Sequence, residues 1–153
     1  SRRTTRGFTM VELVMTMAIM AIAGAMGYGA WVQYKAHSCA RFAATQFVQD
    51  LRFAREQALV RSTPVTVTYD MEDYHVTYQN GVATVEILYG ELAKKYGPPL
   101  SMQPTSGTIV FDYRGTMSSF SPATAPPNTL RFRTAPGVVK RVTVLATGFS
   151  RVE

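Results

Sequence analysis

A chain of 153 residues, 46% hydrophobic and 17% charged, has room for one domain plus an extended helix. Its one cysteine, Cys39, excludes an internal disulfide, and with only His37 and His75 beside it the chain offers no zinc cluster. The formal charge of +6 is partly carried by Arg2, Arg3 and Arg6; without those three it falls to +3, too little to argue for nucleic acid by itself.

From Leu13 to Tyr34 no charged side chain interrupts a run of about 22 residues, which as a helix spans roughly 30 Å, about the hydrocarbon thickness of a bilayer. The run follows a basic leader that ends in Gly7, and Glu12 stands just inside its entrance. An ionised carboxylate costs about 2.5–3.5 kcal/mol at the bilayer centre and less near the interface, so such a residue usually has a partner. The nearest candidate is a new α-amino group on Phe8, created if the chain is cut after Gly7. Within one helix that amine points away from Glu12, so the better geometry lies between neighbouring subunits. Taken alone, the glutamate reads as an interfacial side chain that snorkels to the headgroups. A secretory signal cleaved near Ala21-Ile22-Ala23 is the competing account, and it leaves Glu12 unexplained.

The stretch Arg6-Gly7-Phe8-Thr9-Met10-Val11-Glu12-Leu13 with the apolar helix behind it resembles the class III signal of type IV prepilins and pseudopilins. The resemblance implies cleavage by prepilin peptidase between Gly7 and Phe8 and N-methylation of Phe8. It also implies that Glu12 pairs with the Phe8 amine of an adjacent subunit during assembly. Other major and minor pilins or pseudopilins, the inner-membrane assembly platform and, before assembly, membrane lipid are the implied partners. The head domain would be periplasmic.

Gly24, Gly27 and Gly29 in the apolar run permit close approach of another helix and weaken the helix by about 1 kcal/mol each relative to alanine. Beyond Tyr34 the run becomes a stripe: Ala40, Ala44, Phe47, Leu51, Ala54 and Ala58 keep one helical face apolar. Thr63-Pro64 ends the pattern, because the residue before proline is pushed out of the α region. From Pro64 the period changes to two. Strands are predicted over Val65 to Tyr69, Tyr74 to Tyr78, Val82 to Leu88, Thr108 to Tyr113, Thr129 to Arg133 and Val138 to Leu145. Asn80-Gly81 signals a hairpin turn, and Ala135-Pro136-Gly137 a second. Tyr89 to Gln103 reads as a loop with one short helical turn, Ser118 to Asn128 as an exposed loop, and Thr147 to Val152 as an edge strand or tail. The expected fold is α+β, a type IV pilin fold: a long N-terminal helix whose C-terminal half packs on a small antiparallel β-sheet domain. The divisions are a leader over 1–7, a transmembrane and assembly half of the helix over 8–34, an amphipathic half over 35–62, and a sheet head over 63–153.

A narrower resemblance lies downstream. Asp50 to Ala58 followed by Arg61-Ser62-Thr63-Pro64-Val65-Thr66-Val67 is similar to the helix exit of H-type pseudopilins and FimT/FimU-type minor pilins. Phe111-Asp112-Tyr113-Arg114-Gly115, and Val142-Thr143-Val144 with Thr147-Gly148, match that family's strand-then-glycine pattern. The resemblance implies a low-abundance subunit that helps start a filament and sits at or near its tip. An H-type pseudopilin of a type II secretion system is the alternative.

No catalytic constellation, phosphate loop or nucleophile elbow appears, so the chain reads as a structural subunit without a cofactor or metal and not as an enzyme. Arg131, Arg133, Lys140 and Arg141 gather on the last hairpin, with Arg151 beyond. They read as its solvated face. The functional alternative is a DNA-binding strip, since some FimT-like minor pilins serve DNA uptake; those carry a denser arginine run after the last glycine, where this chain has Phe149-Ser150-Arg151.

Overall fold

The computed structural model describes residues 8–96, 100–124, 127–134 and 137–153. The leader with Gly7, Gly97-Pro98-Pro99 of the predicted loop, and Ala135 and Pro136 of the predicted second turn therefore lie outside the described residues. The chain divides into two compact units, one ending at Lys35 and one spanning Ala36–Glu153, and helix α1 (Met10–Arg61) contributes to both.

In the first unit every described side chain from Phe8 to Lys35 is exposed. By length and composition this helix can cross a membrane, with a mean hydropathy of 1.8 over an 18-residue stretch. An apolar helix with no cover in its own chain needs lipid or other helices around it.

The second unit has its own core. The stripe Ala40, Ala44, Phe47, Leu51, Ala54 and Ala58 is buried as its spacing requires, and Ala36, Ala43 and Val48 join it. The many alanines let strands approach the helix closely. The helix ends at Ser62, which takes the left-handed conformation (φ 52°) that glycine commonly supplies at this place. Two antiparallel sheets follow, where the sequence predicts one. The first has the order β3-β2-β1-β5-β6 and the second β4-β7-β8-β9. The first is built from β1 (Val65–Tyr69), β2 (Asp73–Asn80), β3 (Ala83–Glu91), β5 (Gly107–Phe111) and β6 (Met117–Ser121). The second uses β4 (Ser101–Gln103), β7 (Thr129–Arg133), β8 (Val139–Val144) and β9 (Ser150–Val152), and a short helix α2 (Leu92–Tyr96) precedes β4. Alternate residues of both sheets, among them Val65, Val67, Tyr69, Ile109, Leu130, Phe132, Val142 and Val144, enter one core with the helix. Phe47 connects the two sheets: its ring meets Tyr74 of β2 edge-on at 5.0 Å and Phe132 of β7 at 5.6 Å.

Several predicted boundaries are corrected. Tyr89 to Gln103 has more regular structure than expected: β3 continues to Glu91, the expected helical turn forms as α2, and β4 forms from Ser101. Gly90 lies opposite Tyr74, where an added Cβ would come within 2.2 Å of the tyrosine ring. The strand runs on through the glycine because the ring takes the place of its missing side chain. Ser118 to Asn128 begins with a strand, not a loop, since β6 pairs with β5 despite its serines. The strand predicted to Tyr113 stops at Phe111, where Asp112 accepts bonds from the Arg114 and Thr116 amides at 2.9 Å and turns the chain. In the first hairpin Asn80 pairs with Ala83, so the loop is Gly81-Val82 rather than Asn80-Gly81. Gly81 at φ 63° supplies the positive dihedral that the first loop position of a type II′ turn demands.

Candidate functional site

The N-terminal site starts from two bonds. The Glu12 amide donates to Thr9 Oγ1 at 3.3 Å, and the Leu13 amide to the Thr9 carbonyl at 3.2 Å. Thr9 is thus the N-cap, Met10 the first helical residue and Glu12 the third. Thr9-x-x-Glu12 has the spacing of a capping box, a signal present in the sequence and missed beside the louder glycine–phenylalanine pattern. A carboxylate in the first turn also faces the positive end of the helix dipole, a contribution of about 0.3–1 kcal/mol when exposed. Phe8 lies before the cap and is 75% exposed. Glu12 has no ion-pair partner among the described residues. The Thr9 hydroxyl thus caps the helix through the Glu12 backbone amide, and the Glu12 charge is open to a cation from elsewhere.

The basic residues of the last hairpin separate by face. Arg131 stands directly opposite Arg141, and Phe132 opposite Lys140. With Phe132 buried, Lys140 belongs to the inward-facing row, whereas Arg131, Arg133 and Arg141 share the outward one. Arg151, opposite Thr143, joins the outward row and pairs with Glu153 at 2.5 Å. The five residues grouped by sequence are thus four arginines on one face and one lysine on the other.

Three segments singled out in the sequence converge in the head. Arg55 Nε donates to the Gly115 carbonyl at 2.9 Å, and its guanidinium lies 4.3 Å over the Phe149 ring. An added Cβ on Gly148 (φ 80°) would come within 2.1 Å of that same carbonyl. The helix exit, the β5–β6 turn and the β8–β9 turn are thereby tied together. The glycines are needed for φ and for close approach, two demands that no side chain meets.

A groove of about 580 Å³ lies along α1, β3 and α2. At its base Tyr74 donates to the Asp50 carboxylate, which also accepts from Gln46 Nε2 at 3.0 Å. Burial, and then the bond to Asp50, hold the Tyr74 hydroxyl well above the ordinary tyrosine value; burial alone pushes Tyr69 to about 12. Both hydroxyls are locked neutral rather than poised for chemistry. His75 lies 3.3 Å from Glu86, His37 is exposed on α1, and no cluster able to hold a metal occurs among the described residues.

A capped apolar helix leading into a two-sheet head defines a pilin-like subunit. The type IV minor pilin FimU of Pseudomonas aeruginosa PAO1, solved in two crystal forms, superposes with TM-scores of 0.51 and 0.53 at 13% identity. The match covers 74% of this chain and 91% and 87% of the two FimU chains, a likeness of fold. No curated protein matches the chain in sequence. Residues 2–28 match the prokaryotic N-terminal methylation motif, and residues 43–148 match the type II transport protein GspH family. The chain belongs to the GspH family. It is a minor pilin or pseudopilin, a class of subunit that assembles with other pilins.

Proposed function

We propose that the chain is a minor type IV pilin that helps start a filament and sits at or near its tip, acting as a structural subunit and not as an enzyme. It enters the inner membrane through the apolar half of α1 with its head in the periplasm. Prepilin peptidase cuts between Gly7 and Phe8, Phe8 is N-methylated, and the assembly platform passes the subunit into the filament. There Glu12 meets the Phe8 amine of a neighbour. The observation that carries the reading is the methylation-motif match at residues 2–28, on a helix whose described side chains to Lys35 are all exposed. The family description favours a second reading, an H-type pseudopilin of a secretion system. Loss of surface pili on deletion supports the first reading; loss of protein secretion supports the second. The outward arginines also suit the DNA-binding alternative, but Glu153 engages one of them and Lys140 stands on the other face.

Cap and intersubunit pairing are separable at Glu12. Glu12→Gln keeps a side chain of the same length and removes the charge, whereas Glu12→Ala removes the side chain; neither disturbs the Thr9 cap, which bonds the backbone amide of residue 12. Both variants should be cleaved normally. Both should enter filaments about tenfold less well, the scale of one lost pairing of ~1.4 kcal/mol. The measurement is the immunoblot ratio of filament-associated to membrane-bound subunit. Normal incorporation of Glu12→Gln would remove the pairing.

A further inference from the structure

Charge is divided between the two sheets. Residues 65–91, which form β1 to β3, carry Asp70, Glu72, Asp73, Glu86 and Glu91 and no lysine or arginine. Residues 129–153, which form β7 to β9, carry Arg131, Arg133, Lys140, Arg141 and Arg151 against Glu153 alone. Within each sheet the register then sets like charges face to face. Arg131 stands directly opposite Arg141 on the outward row of β7 and β8. Asp73, outward because its neighbour Tyr74 is buried, stands directly opposite Glu91. Directly opposed like charges destabilise a sheet. Relief within the chain is partial. The Tyr89 hydroxyl lies 3.3 Å from Asp73 Oδ2 and 3.1 Å from Glu91 Oε1, with one proton for two carboxylates, and Lys94 pairs with Glu91 at 2.9 Å. Among the described residues Asp73, Arg133 and Arg141 have no ion pair.

We propose that the outward arginine face of β7 and β8 docks the acidic β2–β3 face of a second copy of this chain. Each like-charge pair supplies what the other lacks, and guanidinium forks match carboxylates in geometry as well as in sign. One exposed ion pair contributes little, but two matched rows add their contacts and fix the register of the partners. Glu153, paired with Arg151, already sets a carboxylate beside these arginines, and its charge would repel a phosphate. The two faces lie on different sheets, so the contact is heterologous and leaves one free face of each kind to extend along a filament. This rests on the reading of the chain as a filament subunit, and the test separates the two.

Full chains with two different tags are expressed together in cells assembling filaments. In one of them a photo-crosslinking amino acid replaces Val139, exposed in the same row as Arg141, or Val14 in the apolar helix. The docking predicts that Val139 gives a species carrying both tags, crosslinked within residues 70–91 of the second copy. Arg131→Glu with Arg141→Glu in the crosslinker copy should lower its yield about tenfold. Asp73→Lys with Glu91→Lys in the other copy should then restore it, a rescue that a merely misfolded variant would not show. An adduct of Val14 with a pilin-type subunit, and none of Val139 with residues 70–91, would overturn the docking and leave the filament reading standing. No adduct from either position would remove both. Duplex DNA retained by the detergent-solubilised chain, with no Val139 species carrying both tags, would overturn the docking and assign the face to nucleic acid.

Discussion

The two units draw on one helix and obey opposite rules. From Met10 to Lys35 the helix buries nothing; from Ala36 onward a stripe of small and larger apolar residues is buried under two sheets. Trp31 and Phe42 are 65% and 60% exposed, whereas Phe47 is fully buried. The difference teaches that apolar content does not by itself say where a helix finds its cover. A helix apolar all round takes cover from lipid or sister subunits, and a striped one from its own chain.

The sharpest way to test this contrast is to truncate the same residue type on both sides of the stripe. Phe47→Ala removes the ring that touches both sheets and should destabilise the head by about 3–5 kcal/mol. Phe42→Ala removes an exposed ring and should change stability by less than ~0.5 kcal/mol. Thermal melting of the full chain in detergent, followed by near-ultraviolet circular dichroism, compares them. Equal losses would mean that Phe42 is buried in the working protein. The next effect in size is Gly148→Ala, which meets a left-handed φ and the Gly115 carbonyl together and should cost about 2–4 kcal/mol by the same melt.

The smallest effect concerns pH. Tyr69 is raised from 10.0 to about 12 by burial, so the folded head keeps a proton that the unfolded chain releases between those values. Its contribution is intact below pH ~10 and is lost as the pH rises through ~12. Tyr69→Phe should flatten the alkaline decline in melting temperature. An unchanged slope would show that the hydroxyl is not what titrates.

The helix, its stripe and the alternation of β1, β2, β7 and β8 were legible because each keeps a single period over several residues. The serine-rich β6 was not, since its pairing with β5 is a tertiary fact that overrides weak local preference. The extension of β3 through Gly90 was hidden for a similar reason: the compensating ring of Tyr74 lies on another strand. At the candidate site, Phe8 and Glu12 stood out by spacing, and the capping role of Thr9 was readable but unread. The split of Lys140 from Arg141 follows from their adjacency on one strand, but that Arg141 shares the face of Arg131 needed the β7–β8 register. Nor could spacing show that Arg55, Gly115 and Gly148 meet.

A processed filament subunit, as proposed, would carry the record of its processing at its N-terminus. Intact-mass analysis of the membrane-extracted protein should find a chain that begins at N-methylated Phe8. A chain that retains Gly7, or one that begins near Ala23 after a secretory cut, would contradict the account.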